Sequence, residues 1–311
     1  GVKVAKENDV DFVLAVGGGS VVDSAKLIAA GFYTDSDPWD IVIKKEKVTN
    51  ALPLGSILTL AATGSEMNAG SVISNEQTGQ KLGWGSEYVR PKFAIMNPEY
   101  TYSVDSYHTA AGTVDIMSHT MENYFTLNDG AYLDDRFAEG ILKTCIKYGP
   151  IAIKENDNYE ARANLMWANS WAINGLISAG KATEWSVHAM EHELSALRDI
   201  THGVGLAILT PAWLLYCLDD ETSEKIATFG YNVFDIEKTD SQMDDAKKAI
   251  DALKDFLESL GIDLSLKEEG FSEEDLPIMA KNCLENKNKS QIDGFKTLKE
   301  EDILNIYKKA F

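Results

Sequence analysis

A buried strand, a glycine-rich turn and an amphipathic helix follow one another near the start of the chain. The strand reads DFVLAV from Asp11, the turn is GGGS, and the helix VVDSAKLIAAG ends at Gly31. A short apolar run is typical of a buried strand, and the apolar spacing after the turn is typical of a helix. This unit predicts an α/β domain, and it constrains the fold more than any other feature.

Two further strands are predicted in the same part of the chain. One is GSILTLAAT at 55–63, and the other is KFAIMN, which ends at Pro98. Between them, EQTGQKLGWGS carries turn residues suited to a hairpin or a surface loop. The first hundred residues therefore predict several short strands with connections of ordinary length.

The GGGS turn and the turn after the second strand have the chemistry of a nucleotide site. Three glycines and Ser20 lie between strand and helix, where backbone N–H groups at a helix N-terminus can approach a pyrophosphate. Thr59, Thr63, Gly64 and Ser65 supply hydroxyls and amides in the second turn. The pattern is not GxGxxG, and tight turns also use glycine for purely structural reasons. Two such turns after two strands favour nucleotide binding.

The pattern changes to almost uninterrupted helical periods after about Thr101. We therefore predict a domain boundary near residue 102, with an α/β dinucleotide-binding domain at 1–102 and an all-helical domain at 103–311. The first predicted helices of the second domain are 106–125, 131–148, 158–178, 183–198 and 202–218.

Charge and cysteine content exclude several classes of function. The formal net charge of −20 gives a surface that repels phosphate backbones and anionic lipids, so we expect neither nucleic acid nor a membrane as partner. The three cysteines have no CxxC spacing, which fits a reducing cytoplasm better than a disulfide framework or a thiolate metal site. The most apolar run, 204–218, is too short for a membrane span and predicts a buried helix.

Histidines are crowded into one region, and their spacing predicts a metal site. Asp115 and His119 are four residues apart, as are His188 and His192, so each pair projects from one helix face. His202 follows at the start of the next helix. One carboxylate and three imidazoles suit Fe²⁺ or Zn²⁺ with a position left open for substrate. A lone histidine is more often a core residue, but two such pairs are hard to explain in that way.

A different enzyme class is also compatible with part of this pattern. His188, Glu191 and His192 spell HxxEH, the signature of inverted zinc metalloproteases, in which Glu191 would be the base. That hypothesis leaves Asp115, His119 and the two nucleotide-like turns unexplained.

Five long motifs together resemble the iron-containing alcohol dehydrogenase family, most closely its NADH-dependent butanol dehydrogenase branch. They appear in family order along the whole chain: VGGGSVVDSAK, AATGSEMN, AAGTVDIMSHTMENY, EWSVHAMEHELSA and DITHGVGLAILTPAW. The resemblance implies a Rossmann-like, dehydroquinate synthase-like α/β domain followed by an all-α domain. It favours a dehydrogenase over the HxxEH protease.

The resemblance also implies roles for individual residues. The metal ligands would be Asp115, His119, His188 and His202, while His192 would lie near the nicotinamide as a proton-relay or orienting group. The implied cofactor contacts are Gly18, Gly19, Ser20, Asp23, Thr59, Leu60, Thr63, Ser65 and Lys81.

The function implied is hydride transfer between NAD(H) or NADP(H) and a primary alcohol or aldehyde such as butanol or butanal. Fe²⁺ is the implied metal, with Zn²⁺ or another divalent ion as alternatives, and a homodimer is expected. Trp167, Trp171 and Trp185 lie near the ligand segments but are assigned to the core.

Members of this family begin with further strand–helix units, of about 80 residues, ahead of the position that matches Gly1. We therefore expect the chain to lack the first strands of its nucleotide domain, which include residues near the adenosine ribose. Two alternatives stay open: a polyol dehydrogenase of the glycerol type, and a metal-binding remnant without turnover.

Overall fold

The computed structural model describes residues 1–127 and 130–311 of the chain. Five strands occur within this part, all before residue 96: β1 (Val13–Gly17), β2 (Leu54–Leu58), β3 (Gly70–Asn75), β4 (Gln80–Gly85) and β5 (Ala94–Ile95). β1, β2 and β5 form a parallel sheet in the order β1-β2-β5, with Val13 opposite Leu54. β3 and β4 pair antiparallel, which confirms the hairpin alternative for the segment around 76–86.

Three helices accompany the strands: α1 (Val2–Glu7), α2 (Gly19–Gly31) and α3 (Trp39–Val42). α2 packs on β1 and β2 and buries Val22, Ala25 and Ala29. The glycine turn therefore lies at the carboxyl end of β1 and at the N-terminus of α2. This is the end of a parallel strand at which ligands bind in open α/β sheets.

Helices make up most of the remaining chain. They are α4 (Ser106–Tyr124), α5 (Tyr132–Lys154), α6 (Tyr159–Ile173), α7 (Ser186–Arg198), α8 (His202–Cys217), α9 (Ser223–Val233), α10 (Gln242–Ser259), α11 (Asp275–Glu285) and α12 (Glu300–Ala310). With the small parallel sheet before them, they confirm the predicted fold class of an α/β part followed by an all-α part. The boundary near residue 102 stays a prediction.

Two helix ends differ from the sequence prediction. α5 continues through Pro150 to Lys154, because a proline removes one N–H donor without ending a helix that is packed on both neighbours α4 and α6. α6 ends at Ile173 instead of 178, since Gly175 adopts a φ of +99° that an α-helix does not allow.

α4 lies at the centre of the helical part. Every residue from 109 to 124 is buried, and the helix packs against α5, α6 and α8. α8 is buried almost throughout, as its apolar sequence predicts. Within 1–127 and 130–311, no helix has both the length and the apolar character that crossing a bilayer requires. Polar side chains on α4 are thus enclosed in the core, where a polar atom without a partner costs free energy.

Candidate functional site

Asp115 lies at the centre of a cluster of three imidazoles. Its Oδ1 is 3.4 Å from Nε2 of His119, 3.9 Å from Nε2 of His188 and 3.8 Å from Nε2 of His202. Asp115 and His119 come from α4, and the other two histidines come from α7 and α8. Their rings are close, with His119 stacked on His188 at 4.8 Å between centroids. The structure thus brings together the four residues predicted as metal ligands.

This cluster fits a divalent cation. Asp115 Oδ1 and His188 Nε2 are buried, and neither has a hydrogen-bond partner among the described residues. Buried polar atoms rarely stay unpaired. One carboxylate oxygen and three imidazole nitrogens that converge on one point are the donors that Fe²⁺ and Zn²⁺ accept. A cation bound between them would satisfy the unpaired atoms.

Two of the imidazoles, those of His119 and His188, are held in the form that binds metal. Burial lowers the pKa of His119 to about 3 and lowers the pKa of His188 well below its usual range. Both rings are therefore neutral at pH 7, with a lone pair on one nitrogen. Metal binding at neutral pH then needs no deprotonation of these two ligands.

Two glutamates orient His188 and His202 through the ring nitrogen that does not face Asp115. Glu122 Oε1 accepts a hydrogen bond from the backbone N–H of His188 at 2.9 Å and lies 3.3 Å from Nδ1 of that ring. Glu191 makes a short contact with Nδ1 of His202. Burial alone would raise the pKa of Glu191, but the charges of His202 and Lys81 lower it below its usual range. A carboxylate on the outer nitrogen fixes the tautomer of a ligating histidine.

The sequence does not single out Glu122, and it suggests Glu191 only as the base of a protease. The signal was present as HxxE, since each glutamate follows a predicted ligand by three residues: His119 and Glu122, His188 and Glu191. In the structure each glutamate serves a histidine of a later segment rather than the one on its own turn. Helical spacing alone does not reveal which histidine each glutamate contacts.

We expect Glu122→Gln to weaken metal binding by about 10- to 100-fold, the usual effect of losing an outer carboxylate partner. Burial raises the pKa of Glu122 to about 8. The amide keeps the size of the side chain but cannot ionise to the carboxylate that would hold His188 Nδ1 when a cation binds. Competition with a chromophoric chelator measures the affinity. Glu160→Gln, on the exposed side of α6, is the matched control and should leave the affinity unchanged. An unaltered affinity in Glu122→Gln would contradict the orienting role.

His192 lies at the edge of the cluster. Its ring centroid is 5.8 Å from that of His202, and Glu191, His192 and His202 form a second group of neighbouring donors. Glu191 is already bonded through both carboxylate oxygens, to Ser195 and to His202. It is therefore not free to act as the base that the HxxEH alternative requires.

The residues predicted to bind the cofactor fall into three groups, of which the first lines the two turns. Gly18 is the N-cap of α2 and has no side chain to occupy the free amides of the first turn, while Ser20 is exposed. The turn that follows β2 contributes Thr59, Leu60 and Thr63, all half-buried. The two turns are joined where Thr59 N–H donates to Gly17 O at 3.1 Å.

Glycine is required at Gly19 by the neighbouring turn. A Cβ on Gly19 would lie 2.3 Å from Cγ2 of Thr63, and a Cβ on Gly18 would lie 3.3 Å from Cβ of Leu60. From the sequence, the glycines are explained by the approach of a phosphate. The structure gives them a second reason, namely close packing of the two turns.

Asp23 and Ser65 form the second group, and both are buried in bonds within the protein. Ser65 Oγ donates to Asp23 Oδ1, and Val72 N–H donates to Asp23 Oδ2 at 2.7 Å. Lys26, which sequence reasoning did not single out, is fully buried and donates to Ser65 Oγ at 2.8 Å. Burial lowers the pKa of Lys26 to about 8. In this structure Asp23 and Ser65 support the turns, and their contact with a cofactor stays a prediction.

Lys81 is placed differently from the other predicted contacts. Its Nζ donates to Ser195 Oγ at 2.9 Å and lies 3.4 Å from Glu191 Oε2 and 3.3 Å from His202 Nδ1. The β3–β4 hairpin thereby reaches from the α/β part to α7. Lys81 stands beside a predicted metal ligand, so it lies at the junction of the two parts of the site.

The sequence predicts Trp185 as a core residue, but in the structure it lies half-buried against the cluster. Its ring stands edge-on to His188 at 4.9 Å and to His119 at 5.7 Å between centroids. Trp167, by contrast, is 56 % exposed, and its ring packs edge-on against that of Trp171 on α6. Trp185 therefore supplies an apolar wall next to the candidate metal ligands.

Comparisons with known proteins agree with this architecture. The family model described as "Iron-containing alcohol dehydrogenase" matches residues 1–98, and "Fe-containing alcohol dehydrogenase family, C-terminal" matches residues 109–311. The chain belongs to the iron-containing alcohol dehydrogenase family. The metalloprotease alternative is therefore wrong.

Individual relatives are similar over nearly the whole chain. NADH-dependent butanol dehydrogenase A of Clostridium acetobutylicum is 52 % identical over 311 residues, which cover 100 % of this chain and 80 % of the relative. NADPH-dependent aldehyde reductase YqhD of Escherichia coli is 43 % identical over 289 residues, which cover 92 % of this chain and 74 % of the relative. The crystal structure of NADH-dependent butanol dehydrogenase A from Thermotoga maritima superposes with a TM-score of 0.93 at 39 % identity, covering 99 % of this chain and 78 % of that one.

Proposed function

We propose that the chain is a metal-dependent alcohol dehydrogenase and aldehyde reductase that transfers hydride between NAD(H) or NADP(H) and a primary alcohol or aldehyde. The observation that carries the proposal is the convergence of three imidazole nitrogens on Asp115 Oδ1, each within 4 Å. Family membership and relatives named butanol dehydrogenase and aldehyde reductase support it.

The metal would be held by Asp115, His119, His188 and His202. When bound, a divalent cation such as Fe²⁺ or Zn²⁺ polarises the oxygen of an alcohol or carbonyl group. The carboxylates of Glu122 and Glu191 keep two of these imidazoles in a fixed orientation. This preorganisation lets the ligands hold their geometry without rearranging during the reaction.

The cofactor would be bound by the two turns. Backbone N–H groups of Gly19 and Ser20, at the N-terminus of α2, would bind the pyrophosphate of the cofactor. NAD(H) or NADP(H) supplies or accepts the hydride at its nicotinamide ring. His192, beside His202, would orient that ring or hold a proton for the substrate oxygen. The α/β part at 1–102 would thus bind the cofactor, and the helical part at 103–311 would bind the metal.

Trp185 favours an apolar substrate over a polyol. Its indole ring packs beside the predicted ligands His119 and His188, so a group next to the reacting carbon would meet an aromatic surface with few polar atoms. A butyl chain gains from this contact, whereas a glycerol hydroxyl would lose hydrogen bonds to water. We therefore retain butanol and butanal as substrates in preference to the glycerol-type alternative. A homodimer in the cytoplasm remains a prediction from the sequence.

The test is metal analysis coupled to assays of NADH and NADPH oxidation. We expect close to one divalent ion per chain and metal-dependent oxidation with butanal that exceeds oxidation with glyceraldehyde. Faster turnover of glyceraldehyde than of butanal would favour the glycerol-type alternative. Metal binding and NADH binding without turnover of any aldehyde would favour the metal-binding remnant.

We expect His192→Ala to keep its metal and to reduce turnover by about 100-fold, the lower range for loss of a proton-transfer group. His192 is not among the three histidines whose Nε2 atoms lie within 4 Å of Asp115 Oδ1, so the cluster stays intact. Metal content and kcat are measured on the same sample. His202→Ala is the comparison and should lose metal. The reverse result, with metal lost in His192→Ala and kept in His202→Ala, would show that the ligands are wrongly assigned.

A further inference from the structure

The turn at residues 59–66, which follows β2, touches both halves of the proposed active site. On one side, Thr63 fills the space next to Gly19 in the glycine turn. On the other, Ala61 O would lie 2.4 Å from a Cβ on Gly112, so backbone meets backbone at α4. Gly112 lies three residues before Asp115. This bridging turn, as we call residues 59–66, is therefore packed between the predicted cofactor site and the metal helix.

The buried side chain of Asn169 on α6 holds the bridging turn by two hydrogen bonds, one that it accepts and one that it donates. Asn169 Oδ1 accepts from Gly64 N–H at 2.7 Å, and Asn169 Nδ2 donates to Glu66 Oε1 at 3.0 Å. Ser170 Oγ donates to the same carboxylate oxygen. Asn169 and Ser170 are 0 % exposed and Glu66 is 2 % exposed. Water cannot replace these bonds without opening the contact between the turn and α6.

The backbone of the turn and the backbone of α6 are in close contact at Gly64. Gly64 adopts a φ of +60°, and a Cβ there would lie 2.3 Å from Ile173 Cγ2 and 2.9 Å from Asn169 O. Glu66 Oε2 is buried and has no hydrogen-bond partner in the described part of the chain. Since the carboxylate depends on Oε1 for its bonds, losing the Asn169 amide leaves Glu66 poorly satisfied. The turn should then move away from α6.

We propose that Asn169 is a positioning residue for hydride transfer, which fixes the bridging turn and thereby the nicotinamide cofactor relative to the metal centre. The inference rests on the proposed function, because it assumes that the two turns bind the cofactor. Asn169 acts through Gly64 and Glu66, and it is not one of the predicted ligands or cofactor contacts. A displacement of about 1 Å between reacting groups can reduce a rate by about 100-fold.

Asn169→Ala in the metal-loaded full chain tests the inference. We expect the Kd for NADH, measured by fluorescence, and the KM for NADH to rise at least tenfold. We also expect kcat to fall and the isotope effect with deuterated NADH to increase, because hydride transfer becomes slower. Metal content should not change. Asn164→Ala is the matched control, since Asn164 lies on the same helix and donates to the backbone of Glu160 on the exposed side.

A rescue experiment separates positioning from general destabilisation. Asn169→Asp keeps the acceptor for Gly64 but places a second carboxylate against Glu66, so it should be as damaging as alanine. Adding Glu66→Gln restores a donor between the two side chains and should recover most of the lost NADH affinity. If Asn169→Ala does not fold, the comparison of Asn169→Asp with this double variant decides the question.

Two outcomes overturn the inference. One is a lower melting temperature with unchanged Kd, KM and isotope effect, which would make Asn169 purely structural. The other is loss of metal together with cofactor affinity, which would mean that the turn has no separate influence. The proposed function fails independently if the wild-type protein binds NADH but reduces no aldehyde. The NADH affinities of the Asn169 variants then still decide whether Asn169 positions the bridging turn.

Discussion

Asp115→Ala is expected to remove the metal and to lower kcat/KM for aldehyde reduction by about 1000-fold or more. Asp115 Oδ1 is the atom that lies within 4 Å of all three predicted histidine ligands, and it supplies the negative charge of the set. Without it, a cation would be held by imidazoles alone, with no negative charge among its ligands. A metal contributes several kcal/mol to stabilising charge on the substrate oxygen, and about 4 kcal/mol corresponds to about 1000-fold.

Asp105→Ala is the matched control on the same helix. Asp105 is the N-cap of α4 and accepts a hydrogen bond from His108 N–H at 2.8 Å, so its loss costs about 1 kcal/mol of stability. Metal content by mass spectrometry and kcat/KM are measured on both variants. Metal retained at the wild-type level in Asp115→Ala would remove the basis of the proposed mechanism.

The local features of the site could be predicted from the sequence. Asp115 and His119 are four residues apart on one helix, and this spacing alone sets their side chains together at 3.4 Å. The strand–turn–helix unit likewise depends on neighbouring residues, and its glycines mark the turn at the N-terminus of α2. Such features follow from the period of the helix or from backbone conformation.

Partners distant in sequence could not be predicted in this way. Glu122 pairs with His188, which is 66 positions away, and Lys81 reaches Ser195 across 114 positions. Asn169 meets Gly64 across 105 positions. These contacts depend on how α4 packs against α6 and α7 and on how the strands and turns of the α/β part meet α6 and α7. No local pattern encodes that packing. The buried polar network around Lys26 was missed for the same reason, since a lysine on an amphipathic helix normally indicates an exposed face.

Removing the metal should abolish aldehyde reduction, whereas altering the glycine turn should weaken NADH binding. A chelator should reduce aldehyde reduction to background while changing the Kd for NADH by less than about threefold, because the turns bind through backbone and hydroxyl groups rather than through the ion. Gly19→Ala should do the opposite. Its Cβ would lie 2.3 Å from Thr63 Cγ2, so the two turns must separate. We expect NADH affinity to fall at least tenfold while the metal stays in place.

Gly140→Ala on α5 is the matched control for this experiment. In the described part of the chain, no heavy atom outside its own helical surroundings lies within 4 Å of a Cβ at Gly140, so alanine is accommodated without strain. Metal content and NADH fluorescence are measured on the chelated protein and on both variants. Aldehyde reduction that persists after complete removal of the metal would exclude the mechanism. Loss of metal in Gly19→Ala would show that the glycine turn and the α4 cluster form one site, because displacing Thr63 would then also displace the contact of Ala61 with Gly112.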